Sequence, residues 1–240
     1  MIPARPHRLF ARFFAHHARA RIRGAFQEVR AHGVLGARAA AATAPLLVTC
    51  NHTAWWDPLV ALYLSHYVLE VDAFAMMDAA NLRRLPFFGR VGAFGVDLGD
   101  PADGARGIRY AARLLRAPTT AVWLFPQGDE RPITEPLVFR PGSAEIARLA
   151  RGCRVLPVAL RYEHGKTERP SLWISFGESA EPTRDVVAGR AAQEAAVTRE
   201  LTRIDVALRT GDAAEFDTMH AARPGLFGLL AERLLARLTA

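Results

Sequence analysis

Lysine, cysteine and long apolar runs are scarce in this sequence. Lys166 is the only lysine, so nearly all of the 31 basic residues are arginines. The two cysteines, Cys50 and Cys153, lie in apolar runs and lack the close spacing of zinc or redox motifs, which predicts buried free thiols and no metal. No stretch reaches the roughly 18 uncharged apolar residues of a membrane-spanning helix. We therefore expect neither a disulfide scaffold, nor a zinc module, nor a spanning helix.

The chain is long enough for one substantial domain. Its 240 residues are 50% apolar and 23% charged, as in an ordinary globular protein. The 31 basic and 24 acidic residues give a net charge of +7. A positive surface attracts anionic membranes, nucleic acids and phosphorylated ligands, so the charge indicates a class of partners rather than a function. Because the sequence shows no secretory signal pattern, we expect a cytoplasmic protein.

Short runs of β-branched and aromatic residues alternate with helical patterns along the chain. The runs predict six strands, at Leu46–Cys50, Asp72–Met76, Ala93–Leu98, Ala121–Phe125, Arg154–Tyr162 and Ser171–Phe176. The helical patterns lie at Pro58–Leu69, Pro101–Arg116, Gly142–Ala150 and around Val197–Leu208. The alanine-rich stretch Ala37–Ala44 is expected to be a loop. This alternation predicts a single α/β domain whose mixed, mostly parallel sheet is covered by helices.

Two further helices, both amphipathic, are predicted towards the ends of the chain. Residues 6–24 place a leucine and three phenylalanines among arginines, and Leu226–Leu238 places leucines around Arg233 and Arg237. Basic amphipathic helices bind membrane surfaces, but their apolar faces also pack against a protein core. The sequence leaves both alternatives open for each helix.

Polar residues cluster directly after the first predicted strand. The stretch Asn51–Asp57 leads from Leu46–Cys50 into a helix that begins near Pro58, because proline suits the first helical position. In open α/β sheets, ligands bind beyond the carboxyl ends of the strands. The carboxylate of Asp57 can accept from one imidazole nitrogen of His52 and leave the other as a base. Alternatively, Asp57 only caps the helix and His52 is an ordinary loop histidine.

Four blocks of sequence carry a wider resemblance. They are Asn51–Asp57, Leu85–Gly89 through Gly92–Phe94, Phe125–Gly128 and Val155–Ala159. In this order they resemble the glycerolipid acyltransferases of the lysophosphatidate acyltransferase type, and the first block resembles that family's His-x4-Asp motif. The likeness runs from about Gln27 to Phe176. A His-x4-Asp pair alone is a weak signal, whereas four ordered blocks are a strong one.

The resemblance implies direct acyl transfer to a lipid hydroxyl. His52 would remove the proton from the acceptor hydroxyl, which attacks the thioester of acyl-CoA or acyl-ACP, and Asp57 would orient the imidazole. The acyl thioester is a co-substrate, and no other cofactor is expected. The implied acyltransferase domain covers residues 25–240 and follows the amphipathic helix at 1–24. The expected partners are an acyl thioester carrier, a lipid acceptor and an anionic membrane surface at the inner face of the membrane, without nucleic acid.

Substrate contacts are predicted around the first and third blocks and the turn that follows them. The residues concerned are Asn51, Gln127, Gly128, Asp129, Glu130, Arg131 and Arg140. Backbone amides near Gly128 are the predicted donors to the negative oxygen that develops during acyl transfer.

The chain lacks two arginines of the family pattern. Leu98 stands where the second block normally ends in arginine, and Gln127, Asp129 and Glu130 stand where the third block normally has glutamate, threonine and arginine. The planar fork of arginine binds phosphate through two parallel hydrogen bonds, whereas an acidic residue repels it. We therefore predict an acceptor without a terminal phosphate, such as a glycolipid or another lysolipid.

Other interpretations of these residues stay open. Arg131 and Arg140 keep lysophosphatidate as an alternative acceptor, with phosphatidate as product, because a one-residue shift would bring Arg131 near the missing arginine. A non-catalytic module that binds membranes or nucleic acids would explain the arginine excess but not the four blocks. Trp55 and Trp56 either line an acyl channel, lie at a membrane interface or pack in the core.

Overall fold

A computed structural model describes residues 1–165 and 167–222 of the chain. Its strands are β1 (Glu28–His32), β2 (Leu46–Cys50), β3 (Asp72–Asp78), β4 (Ala93–Val96), β5 (Thr120–Leu124), β6 (Arg154–Glu163), β7 (Ser171–Phe176) and β8 (Asp217–Ala221). Its α-helices are α1 (Arg8–Ala25), α2 (Val34–Thr43), α3 (Asp57–Leu64), α4 (Ala79–Arg84), α5 (Pro101–Leu114), α6 (Gly142–Leu149) and α7 (Val186–Thr210). A π-helical turn (Ser65–Leu69) extends α3, and a 3₁₀ segment (Pro86–Val91) precedes β4.

The strands form one mixed sheet in the order β4-β3-β5-β2-β6-β7-β1-β8. The first five strands in this order, β4 to β6, run parallel to one another. The next strand, β7, is antiparallel to β6. After β2 the chain continues to β3 on one side, whereas after the adjacent β5 it continues to β6 on the other. A crevice opens at the carboxyl ends of two neighbouring strands whose connections diverge in this way. The fold therefore places the residues after Cys50 and after Leu124 at one ligand-binding edge.

Helices cover both faces of the sheet and bury its apolar side chains. On one face, Ile22 of α1 and Leu64 of α3 belong to a core cluster that also contains Val48 of β2. On the other face, Leu115 and Ile146 pack with Leu47 of β2. Every residue of β2 and of β5 is buried, as expected for central parallel strands covered on both sides. The predicted α/β fold with a mostly parallel mixed sheet is confirmed.

The prediction of a loop at Ala37–Ala44 is wrong, because residues up to Thr43 form helix α2. Alanine has the highest intrinsic helix propensity, and the buried residues Ala37, Ala40 and Ala41 pack this helix on the core. The alanine-rich composition indicated a close-packed helix rather than an unstructured connection.

Two strands, β1 and β8, were not predicted from the sequence. Strand β1 is only five residues long and has the sequence EVRAH, but Val29 and Ala31 are buried in alternation. Strand β8 is an edge strand with no buried residue. Both depend on pairing with strands distant in sequence, β1 with the parallel β7 and β8 with the antiparallel β1, which no local pattern reveals.

Helix α1 docks on the body of the protein through one face. Its residues Ala15, Ala18 and Ile22 are buried, and the helix packs against α3. On its other face, Leu9 and Phe13 are 73% and 68% exposed. Within the described part of the chain, no helix combines the length and apolar content that crossing a membrane requires. The amphipathic helix predicted at Leu226–Leu238 lies outside the described residues.

Candidate active site

The site is built around a loop between the central strand β2 and helix α3. Asn51 directly follows the strand, and its side chain both donates to the backbone oxygen and accepts from the backbone nitrogen of Leu160, at 2.9 and 2.8 Å. The asparagine thus continues the pairing of β2 with β6 beyond the last strand residue. Because Asn51 is buried and its amide is occupied in this way, it fixes the start of the loop that carries His52.

Asp57 closes this loop from the first residue of α3. Its Oδ2 accepts hydrogen bonds from the backbone nitrogens of Thr53 and Ala54, at 2.8 and 3.0 Å, and lies 2.7 Å from Nδ1 of His52. Its Oδ1 accepts from the hydroxyl of Tyr162 at 2.6 Å. The Asp57 side chain is 0% exposed, and a buried carboxylate requires such partners because each hydrogen bond to a charged group contributes about 1.5–3 kcal/mol.

The imidazole of His52 is held in one orientation. A carboxylate only accepts hydrogen bonds, so Nδ1 carries the proton shared with Asp57 and Nε2 becomes the acceptor. No residue of 1–165 or 167–222 makes a hydrogen bond to Nε2, and the side chain is 17% exposed. The ring stacks on Phe125, with centroids 4.5 Å apart and an interplanar angle of 28°. The arrangement leaves Nε2 without a hydrogen-bond partner among the described residues, on a side chain that is partly exposed.

The segment after β5 clamps the backbone of His52 from the other side. Oε1 of Gln127 accepts from the His52 nitrogen at 2.7 Å, and the Arg131 nitrogen donates to the His52 oxygen at 2.9 Å. The side-chain oxygen of Gln127 is thus occupied by the loop. The neighbouring strands β2 and β5 together fix the position of the histidine.

Gly128 and Arg140 pack tightly against each other beside this clamp. Gly128 has a φ of +86°, a left-handed conformation that favours glycine, and a Cβ at this position would also displace the guanidinium of Arg140. The Arg140 guanidinium donates to Asp129 at 3.0 Å. The side chains of Arg131 and Glu135 approach to 3.9 Å, and Glu130 is exposed. Both arginines considered for phosphate binding therefore have a carboxylate neighbour.

Two buried titratable groups, the Cys50 thiol and the Tyr162 hydroxyl, are affected by the charge of Asp57. Burial, and then the negative charge of Asp57, raises the pKa of the Cys50 thiol well above its ordinary value. The same two causes, in the same order, raise the pKa of the Tyr162 hydroxyl, and its hydrogen bond to Asp57 raises it further. Both groups are therefore neutral at physiological pH. As predicted, Cys50 and Cys153 are buried free thiols.

The two tryptophans beside the dyad have different environments. Trp56 is half-buried and packs against Phe26, with ring centroids 5.2 Å apart, while Arg21 lies over its ring. Trp55 is 63% exposed. Core packing accounts for Trp56, and Trp55 is an exposed aromatic side chain at the rim of the site.

Sequence reasoning did not identify Tyr162 as a neighbour of the dyad. Its position at the end of a predicted strand was the available signal, since that strand runs beside β2 and ends at the same edge. The described residues contain no group of three or more His, Cys, Asp or Glu arranged to hold a metal ion.

A comparison with protein families finds a match over the region that contains the dyad. The model of the family described as Acyltransferase matches residues 30–161, more than half of the 240 residues. The matched region contains the loop after β2, the segment after β5 and Arg140, and it ends one residue before Tyr162. A search of the curated proteins finds no match for this chain.

The hydrogen bond between Gln127 and the His52 amide makes a prediction about the loop. Gln127→Leu leaves a buried donor without a partner, so we expect the free energy of unfolding to fall by about 1–3 kcal/mol and the His52 amide to exchange faster. Gln127→Glu, the matched control, keeps an acceptor and should keep the protection. Denaturant unfolding and amide hydrogen exchange measure both effects. Unchanged exchange at His52 in Gln127→Leu would show that this bond does not hold the loop.

Proposed function

Since the chain belongs to the glycerolipid acyltransferase family, we propose that it is an enzyme that moves a fatty acyl group from an acyl thioester to a lipid hydroxyl. The observation that carries the proposal is the His52–Asp57 pair, with Nδ1 and Oδ2 2.7 Å apart at the carboxyl end of the central strand. The thioester is carried by coenzyme A or by acyl carrier protein. Both carriers present the same carbonyl group and the same thiol leaving group.

The proposed reaction uses His52 twice. Its Nε2 takes the proton of the acceptor hydroxyl while that oxygen attacks the thioester carbon, and Asp57 stabilises the resulting imidazolium. Collapse of the tetrahedral intermediate breaks the carbon–sulfur bond, and the departing thiolate takes the proton back from His52. The histidine ends in its starting state, and the ester forms without a covalent acyl-enzyme.

The negative oxygen of the intermediate requires hydrogen-bond donors. The Gly128 nitrogen already donates to the Phe125 oxygen at 3.0 Å within a tight turn. The backbone nitrogens of Asp129 and Glu130 donate to no acceptor within the described residues. We therefore assign the donor role to these two amides, which follow Gly128 directly.

The acceptor is proposed to lack a terminal phosphate. Arg140, the arginine packed on Gly128, already donates to Asp129, and Leu98 occupies a position where related enzymes carry an arginine. A phosphomonoester at this place would meet the negative charges of Asp129 and Glu130. A glycolipid or an uncharged lysolipid instead offers hydroxyls that hydrogen-bond to those carboxylates.

Lysophosphatidate is the second candidate acceptor, and one observation favours it. The Arg131 backbone nitrogen donates to the backbone oxygen of His52, so the Arg131 side chain begins next to the dyad. Its guanidinium lies 3.9 Å from the carboxylate of Glu135. An exposed pair at this separation contributes little and can be displaced by a phosphate.

We further propose that residues 1–24 associate with the anionic inner surface of the membrane while residues 25–240 carry the acyltransferase site. The exposed side chains of Leu9 and Phe13 lie among Arg8 and Arg12 on the face of α1 that does not pack on α3. Apolar residues flanked by arginines suit the interface of an anionic bilayer. A lipid acceptor would reach the site from such a surface.

His52→Ala tests the catalytic role directly. Loss of a positioned base should lower kcat by about 10²–10⁴-fold and leave the protein folded, with a lower thermal unfolding midpoint because one hydrogen bond to the buried Asp57 carboxylate is lost. The assay follows thiol release from acyl-CoA with a mixture of lipid acceptors, and mass spectrometry identifies the acylated product. His220→Ala on the edge strand β8 is the control and should retain activity. Equal activity of His52→Ala and wild type would exclude the dyad mechanism.

Asp129→Asn tests the acceptor assignment. Removing this charge releases Arg140 from its ion pair, so the ratio of kcat/KM for lysophosphatidate to that for a monoacylglycerol should rise about tenfold. Glu145→Gln, which removes a carboxylate bound to Arg148 on α6, is the charge-matched control and should leave the ratio unchanged. If wild type already prefers lysophosphatidate, the second candidate acceptor is correct and the first is wrong.

Vesicle binding tests the membrane proposal. Replacing Leu9 and Phe13 together with serine removes two apolar side chains from the interface, so the affinity for phosphatidylglycerol vesicles should fall at least about tenfold. Co-sedimentation with vesicles measures the affinity. The control replaces Val187, an equally exposed apolar residue on α7, with serine. Equal affinity of the double variant and wild type would contradict a membrane role for α1.

A further inference from the structure

We propose that Tyr162 is a positioning residue for acyl transfer, because its hydroxyl holds Asp57 in the orientation that directs His52. The inference rests on the proposed function and extends it to a residue just beyond the region that matches the family. Tyr162 contacts Asp57 and acts on the reaction only through that carboxylate.

The two oxygens of Asp57 have separate partners. Oδ2 accepts hydrogen bonds from the His52 imidazole and from two backbone amides. Among the residues that the structure describes, only the hydroxyl of Tyr162 donates to Oδ1, at 2.6 Å. Because Asp57 is fully buried, water cannot replace that donor without rearrangement of the site. Loss of the hydroxyl would leave a buried carboxylate oxygen unpaired and would free the carboxylate to rotate away from His52.

Tyr162 is held rigidly by an element other than the loop it supports. It lies near the end of β6, two residues after Leu160, whose backbone is bonded to the Asn51 side chain. Its ring packs against Phe26, with centroids 5.7 Å apart, and its backbone pairs with Leu172 of β7. Asn51 and Tyr162 therefore attach both ends of the dyad loop to the same strand.

The Tyr162 hydroxyl keeps its proton, and so remains a hydrogen-bond donor to Asp57, throughout the pH range of an assay. Burial, followed by the charge of Asp57, raises the pKa of Tyr162 well above its usual value. The titratable groups that face Asp57 are His52, Tyr162 and Cys50, and the pKa of the Cys50 thiol is also raised. Cys50 and Tyr162 therefore both stay neutral in this pH range.

Tyr162→Phe tests the proposal, because it removes only the oxygen and keeps the ring packed on Phe26. We expect kcat/KM to fall about tenfold, mainly through kcat, as for other residues that orient a reacting group. Ligand-free NMR of the His52 ring should show a changed chemical shift of the Nδ1 proton, which reports the hydrogen bond to Asp57.

Tyr110→Phe is the matched control, since its hydroxyl accepts a hydrogen bond from the Ala4 nitrogen on the opposite face of the sheet. It should leave kcat/KM and the Nδ1 proton signal of His52 unchanged. A loss of activity in Tyr162→Phe with an unchanged Nδ1 signal would overturn the proposal and make the hydroxyl merely structural. If wild type transfers no acyl group, the proposed function fails, and the Nδ1 signal alone decides whether Tyr162 orients the dyad.

Discussion

The buried carboxylate of Asp57 is the interaction on which the site depends. Transfer of a carboxylate from water into a protein interior costs several kcal/mol unless its oxygens are satisfied. Here two backbone amides, an imidazole and a phenol supply four donors. Since those donors belong to the dyad loop and to β6, satisfying the charge also fixes the loop geometry. The same hydrogen bonds that stabilise the carboxylate direct the imidazole.

The sheet supplies the rigid frame for this arrangement. Asn51 joins the end of β2 to β6, while Gln127 and Arg131 from the segment after β5 bond to the two backbone groups of His52. The histidine is therefore anchored to both neighbours of the central strand. A site on adjacent parallel strands varies less in geometry than one on free loops, which suits a base that must meet a hydroxyl at hydrogen-bond distance.

Local patterns predicted much of this fold and failed where distant pairing decides. The apolar runs of β2, β5 and β6 are strong signals because those strands are buried. His52 and Asp57 are separated by only four residues, across one turn. Ala37–Ala44 was misjudged because low complexity was given more weight than helix propensity. Tyr162 was missed because its partner is 105 residues away along the chain, a separation at which spacing carries no information.

The account rests on the assignment of the His52 proton to Nδ1, which leaves Nε2 as the base. Nitrogen-15 NMR of the wild-type imidazole at neutral pH tests this directly, because protonated and unprotonated ring nitrogens have distinct chemical shifts. The account predicts a single tautomer with a protonated Nδ1 and an unprotonated Nε2. A proton on Nε2, or the averaged signal of an unconstrained histidine, would contradict it.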